Sequence, residues 1–140
     1  MAAQIYKLTA TIPAGQSVSN AINTAGNYVV GLIMPPAWTN AHVSILVSTD
    51  NITFNDLFRF QVGVSTSPAE FKFNVTPGAI VSVDAESTFM ARYIKLRSGT
   101  RDEPVVQQAA RAFTVITTNA VTVQMVTSEL RDETDSDEAV

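Results

Sequence analysis

The feature that most limits what this chain can become is a short-period alternation of apolar and polar residues, interrupted again and again by turn chemistry. Successive side chains of a strand point to opposite faces, so such alternation makes one face apolar and the other polar. The segments that carry it are Gln4 to Thr11, Gln16 to Ile22, Tyr28 to Met34, His42 to Ser48, Phe54 to Phe60, Glu70 to Val75, Ala79 to Val83, Tyr93 to Ser98, Ala112 to Thr117 and Val121 to Thr127. Merging the shortest leaves about eight strands, the pattern of an antiparallel sandwich. Between them lie Pro13-Ala14-Gly15, Ala25-Gly26-Asn27, Pro35-Pro36, Thr49-Asp50-Asn51, Thr76-Pro77-Gly78 and Ser98-Gly99-Thr100. Each supplies either a preset φ or tolerance of positive φ.

Composition points the same way. Val, Ile, Thr and Phe are plentiful while Leu, Glu and Lys are scarce, which suits pleated, half-buried surfaces and not helices. Two stretches could hold a short helix, Ala37 to Ala41 and Pro104 to Arg111, the second reading equally well as an extended connection. The 140 residues suffice for one core, and without cysteine that core must stabilise the fold unaided. The expected division is a sandwich over residues 1–127 and an acidic, mobile tail over 128–140.

That tail explains the charge. Glu129, Asp132, Glu133, Asp135, Asp137 and Glu138 are six of the thirteen acids, and they produce most of the net charge of -4. The body before them is nearly neutral, with no basic field to track a phosphate backbone, so nucleic acid is not expected as a direct ligand. No segment has the length and apolarity of a membrane span, and no signal-peptide pattern opens the chain. A soluble protein made in the cytoplasm is expected.

Catalysis has little material. His42 is the single histidine, at the start of a strand, and reads as a surface or hydrogen-bonded structural residue. No nucleophile elbow, phosphate loop, dinucleotide glycine cluster or zinc-helix motif occurs. The body acids Asp50, Asp56, Glu70, Asp84, Glu86, Asp102 and Glu103 could in principle pair as in a glycosidase, but each has a simpler reading in a turn, strand end or polar loop. Asn51-Ile52-Thr53 and Asn74-Val75-Thr76 match the glycosylation pattern and read as turn and strand residues. No enzyme, cofactor or metal site is expected.

Binding residues are therefore the candidates. Trp38, on a connection, has two readings: a plug at one end of the sandwich with its indole N–H on a nearby carbonyl, or an exposed platform for a sugar or a partner. Lys95 and Arg97 share a strand face with Tyr93, opposite Ile94 and Leu96. That face is read as solvated, or as a contact for acidic groups of a neighbouring subunit. Asn51 and Arg101 lie on loops at the sandwich ends and complete the candidate interface set of Trp38, Asn51, Lys95, Arg97 and Arg101.

Two segments carry a resemblance. Val43-Ser44-Ile45-Leu46-Val47-Ser48-Thr49-Asp50-Asn51-Ile52-Thr53-Phe54-Asn55-Asp56-Leu57 resembles the strand-turn-strand of discoidin-like (galactose-binding-like, jelly-roll) sandwiches, and Ala91-Arg92-Tyr93-Ile94-Lys95-Leu96 is similar to a later strand of that family. This implies that Asp50-Asn51 closes a hairpin and that Phe54 and Tyr93 point into the sandwich. Ile12-Pro13-Ala14-Gly15, Gly31-Leu32-Ile33-Met34-Pro35-Pro36-Ala37-Trp38-Thr39 and Lys95-Leu96-Arg97-Ser98-Gly99-Thr100 together look like small structural proteins of tailed bacteriophages, over roughly residues 8–118. That resemblance implies a virion component on the capsid surface, a decoration (cement) protein with the major capsid protein or other virion subunits as partners and a homo-oligomeric state, a trimer before others. A tail or fibre component with a carbohydrate- or protein-binding sandwich is the alternative, and neither resemblance assigns a binding residue.

Overall fold

A computed structural model of the protein describes residues 4–59 and 68–119. The chain is all-β: eleven strands and one 3-10 turn among the described residues. The strands are β1 (Ile5–Ile12), β2 (Ile22–Asn23), β3 (Tyr28–Ile33), β4 (Val43–Ser48), β5 (Asn55–Asp56), β6 (Phe58–Arg59), β7 (Ala69–Glu70), β8 (Lys72–Phe73), β9 (Ile80–Ser82), β10 (Tyr93–Ser98) and β11 (Arg111–Thr118).

Nine of them form two antiparallel layers, and β6 and β7 pair as a separate two-stranded ribbon. Sheet A has the order β1-β11-β3-β9; sheet B has the order β2-β10-β4-β5, with β8 also on β4. Apart from the β5–β8 region, each strand is followed by one in the opposite sheet, the jelly-roll arrangement. Every inward position then faces the other layer. Ala10 and Ile12, Leu32 and Met34, Phe113 and Val115 from sheet A meet Val43, Ile45, Ile94 and Leu96 from sheet B, all essentially without solvent contact.

The alternation of β3 changes parity inside the strand. Thr117 pairs with Val29 but Ile116 pairs with Gly31, so Val30 is an extra residue. This β-bulge lets Val29 before it and Leu32 and Met34 after it all face the core.

Three expected strands differ: Gln16 to Ile22, Phe54 to Phe60, and Glu70 to Val75, which is divided between β7 and β8. Of Gln16 to Ile22, only Ile22 joins a strand and Val18 makes one bridge to Arg97. Side chains replace the ladder there: Ser19 Oγ accepts from Leu96 N at 2.9 Å, and Asn20 Oδ1 accepts from Thr11 N at 2.8 Å. Phe54 to Phe60 is split by Leu57, which turns its side chain into the core and bonds Ile45 O at 3.0 Å. Short pieces such as these raise the strand number from the expected eight or so to eleven.

Neither short helix forms. Pro104 to Arg111 is an extended connection, because Gln107 N donates to Gln16 O at 2.9 Å and Gln107 O accepts from Gly15 N at 2.8 Å instead of bonding within its own segment. The 3-10 turn lies instead at Ala85–Ser87, capped by the Asp84 carboxylate on Glu86 N. The expected strand Val121 to Thr127 and the tail from residue 128 lie outside the described residues.

Two glycines separate conformation from space. Gly26 has φ +81° with nothing near a hypothetical Cβ, whereas at Gly99 (φ +94°) that atom would sit 2.4 Å from Glu103 O and 2.7 Å from Val105 N. Gly26→Ala should therefore cost about 1 kcal/mol, the left-handed penalty alone, and Gly99→Ala clearly more, measured as urea midpoints. Equal losses would mean that the backbone at 103–105 gives way freely.

Candidate interaction surfaces

Strand β10 sets the outer face of sheet B. Ile94 and Leu96 are buried between the layers, so Tyr93, Lys95 and Arg97 project the other way, as their spacing required. The solvated-face expectation fails for Arg97, which is only 7% exposed. Its Nη1 reaches Asp56 Oδ1 of β5 at 2.6 Å and its Nη2 reaches Glu70 Oε2 of β7 at 2.7 Å. Nε donates to Ser44 Oγ at 3.0 Å, and Ser44 Oγ donates in turn to Gly99 O at 2.8 Å. Every edge of the guanidinium plane is thereby engaged within the same chain.

Arg101 joins the same cluster. Its backbone N donates to Glu70 Oε2 at 2.9 Å, and its exposed side chain lies 3.5 Å from Asp56 Oδ2. Lys95 stands with Nζ 4.3 Å from the centre of the Phe54 ring, a cation–π contact on the same outer face. Phe54 and Tyr93, expected to point into the sandwich, are half-buried on this outer side, because the inward positions of β10 are already Ile94 and Leu96.

The other two candidates occupy opposite ends. Trp38 lies at the end formed by the 34–42 and 99–110 connections, with Nε1 donating to Ala41 O at 3.1 Å and its ring edge-on to Phe113 at 5.3 Å. This is the end-plug arrangement. Beside it is a group the alternation pattern could not reveal: Gln107, fully buried, donates to Thr39 O and Ser98 Oγ and accepts from Thr39 N and Arg111 Nε, all between 2.8 and 3.0 Å. The only signal in the sequence was a polar pair inside an otherwise apolar stretch, Val105-Val106-Gln107-Gln108. A polar cleft of about 500 Å³ opens next to this end, lined in part by Asn40, His42, Asn74 and Glu103.

Asn51 is at the far end, in the turn after β4, with φ +64°. Asp50 organises that turn: its Oδ1 accepts from Thr53 N at 3.0 Å, from Ile52 N at 2.9 Å and from Ser48 Oγ at 3.0 Å. These donors, the two amides foremost, hold the Asp50 carboxyl below its usual value of 3.8. At the same end Ile52, Phe89 and Met90 are exposed.

The outer face of sheet A is chemically different. Register and burial place Ile5, Lys7 and Thr9 of β1, Thr114 and Ile116 of β11, Ile33 of β3 and Ile80 of β9 there. Lys7 is the one charged side chain among the described residues of that face. Among the described residues no three His, Asp or Glu side chains converge as a metal site, and no helix is long and apolar enough to cross a membrane. Compared with known protein families, curated proteins and solved structures, the chain matches none.

Arg97→Met leaves Asp56 and Glu70 with only the exposed Arg101 side chain as a nearby cation and should lower unfolding stability by about 3 kcal/mol, with much of it restored by adding Asp56→Asn and Glu70→Gln; a loss under ~1 kcal/mol would assign the cluster the weight of a surface pair. Because the folded-state pKa of Asp50 is depressed, its stabilising effect is present above the unfolded value of 3.8 and is lost as pH falls through the lower folded value. An NMR titration should place the Asp50 midpoint below 3.8, with the Ile52 and Thr53 amide signals moving alongside it; a midpoint at or above 3.8 contradicts the assignment.

Proposed function

We propose that this chain is a non-enzymatic structural subunit of a tailed-phage particle, a decoration protein that docks on the head shell and strengthens it by bridging neighbouring shell subunits. The observation that carries this reading is the contrast between the two outer faces. On sheet B Arg97 and Arg101 are engaged with Asp56 and Glu70 amid further lysines, whereas sheet A presents Thr and Ile around a lone lysine. Depletion of charge at the centre of a patch is what sets interfaces apart from the remaining surface. A sheet face of β-branched side chains, stiff at χ1, also loses little side-chain entropy on being covered.

The mechanism is contact area. A subunit of this size covering on the order of 1,000 Å² binds modestly alone, and many copies, each touching more than one shell subunit, hold strongly through multivalency. The likeness of residues 8–118 to phage structural proteins supplies the setting, and the jelly-roll, which serves many functions, is compatible with it.

The polar cleft beside Trp38 favours a second reading, a tail or fibre component that grips a glycan, although the Trp38 ring packs edge-on against Phe113 and does not line that cleft. Co-sedimentation with shells assembled without the protein decides between them. Wild type should pellet with the shells; Thr114→Lys with Ile80→Glu on sheet A should abolish pelleting at unchanged melting temperature; Lys72→Glu on sheet B should leave it intact. Failure of wild type to pellet, together with a specific hit on a glycan array, would transfer the assignment to the second reading.

A further inference from the structure

Strand β1 is an edge of sheet A, and its free side has a definite chemistry. Thr11 N and Thr11 O both bond Asn20, at 2.8 and 3.2 Å, so the backbone groups of Thr11 point away from β11. The β1–β11 register is unbroken from Ile5 to Ile12, so the period of two turns Ile5, Lys7 and Thr9 the same way. Among the described residues nothing bonds their outward N–H and C=O groups. An edge of this length is a template for another strand.

Beside that edge the sandwich is open. A cleft of about 390 Å³ lies between the layers, lined by Tyr6, Leu8 and Thr117 from sheet A and by Asn23, Thr24 and Ala25 from the β2 side. Thr117 lines it, and its buried Oγ1 has no hydrogen-bond partner among the described residues. A strand added to β1 would direct alternate side chains into this space.

The occupant is indicated by sequence and by position. After β11 the chain reads Val121-Thr122-Val123-Gln124-Met125-Val126-Thr127, an alternation with apolar residues at 121, 123 and 125. The same chain is poorly placed to supply it. Asn119 is tied to the start of β1 through Gln4 N on its Oδ1 at 3.0 Å, and the free position beyond β1 lies two strand spacings, about 10 Å, from β11. Crossing the start of β1 in so few residues needs a fully extended connector. Direct edge-to-edge pairing of two β1 strands is disfavoured as well, because a two-fold centred on Lys7 sets lysine against lysine.

We propose that the free edge of β1 is a docking site for residues 121–127 of a second copy of this chain, paired as an additional strand whose apolar side chains fill the cleft at Tyr6, Leu8 and Thr117. The contact is heterologous, so it closes either as a two-way swap or as a ring. It does not rest on the phage assignment.

The test uses two full-length variants and sedimentation velocity of each. Thr9→Pro removes an outward N–H and blocks the edge without taking a bond from the β1–β11 ladder; Val123→Pro spoils the donated strand. Wild type should be oligomeric, each variant alone monomeric, and an equimolar mixture should give a one-to-one complex, since one variant keeps the strand and the other keeps the edge. Hydrogen exchange supplies a readout for the case that Thr9→Pro does not fold: the Ile5, Lys7 and Thr9 amides should exchange slowly in wild type and at least tenfold faster in Val123→Pro. A monomeric wild type, whether its edge amides are fast or slow, overturns the proposal, the slow case showing that the segment pairs within its own chain. Oligomers that persist in both variants, or a mixture that stays monomeric, overturn it equally.

Discussion

The guanidinium of Arg97 determines how much of sheet B exists. Strands of two residues are not stable by themselves, yet β5 and β8 together fill the position beside β4, and β6 and β7 hang from them as a separate ribbon. Asp56 and Glu70 belong to this region, and both are drawn onto one side chain of β10. Since Arg97 also holds Ser44 on β4, the cation fixes the lateral order of three neighbouring strand positions at once. Leu57 and Phe71, buried from the same region, add the apolar half of that attachment. The loop after β10 is recruited as well, through Gly99 O on Ser44 and Arg101 N on Glu70.

Much of the architecture was legible because it is local. β10 alternates cleanly, and β4 does so over Val43-Ser44-Ile45 before the apolar run Ile45-Leu46-Val47, so inward Ile94, Leu96, Val43 and Ile45 can be assigned from period two. The turn at Asp50-Asn51 was legible for a similar reason, since an Asx carboxylate bonding the next amides acts over two or three residues. What the sequence concealed are the polar interactions that span it. Arg97 lies 41 residues from Asp56, and Gln107 lies 68 from Thr39. Strand spacing correctly placed Arg97 on the outer side of its sheet, but nothing local announced that other strands would cover it. The same holds for Phe54 and Tyr93, whose aromatic character suggested the core while the parity of β10 had already excluded it. Among the candidate residues, Lys95, Arg97 and Arg101 come together on one face, and Trp38 and Asn51 stay at opposite ends.

The bulge in β3 shows how local irregularity serves the fold. Without the extra residue at Val30, a strand that begins with Val29 facing inward would place Gly31 and Ile33 inward too, leaving Leu32 and Met34 in solvent. A one-residue offset thus decides which of two apolar sets forms the core. The set left outside includes Ile33, and it joins Ile116 and Ile80 on the outer face of sheet A. The parity change therefore decides which uncharged side chain β3 contributes to that face, Ile33 in place of Leu32 and Met34.

Face and edge belong to one sheet, which couples the two proposals geometrically without making either depend on the other. β1 borders the Thr- and Ile-rich face and is also the strand whose outward groups are open. A strand added there would lengthen sheet A sideways, so that copies joined through β1 would present their uncharged faces in a connected row. Sheet twist then becomes the governing quantity, since neighbouring strands rotate by roughly 20 to 25° and each added strand turns the next face further. A row of this kind curves, and whether it closes into a small ring or follows a shell of low curvature is set by the angle at which the added strand leaves its own copy after Asn119.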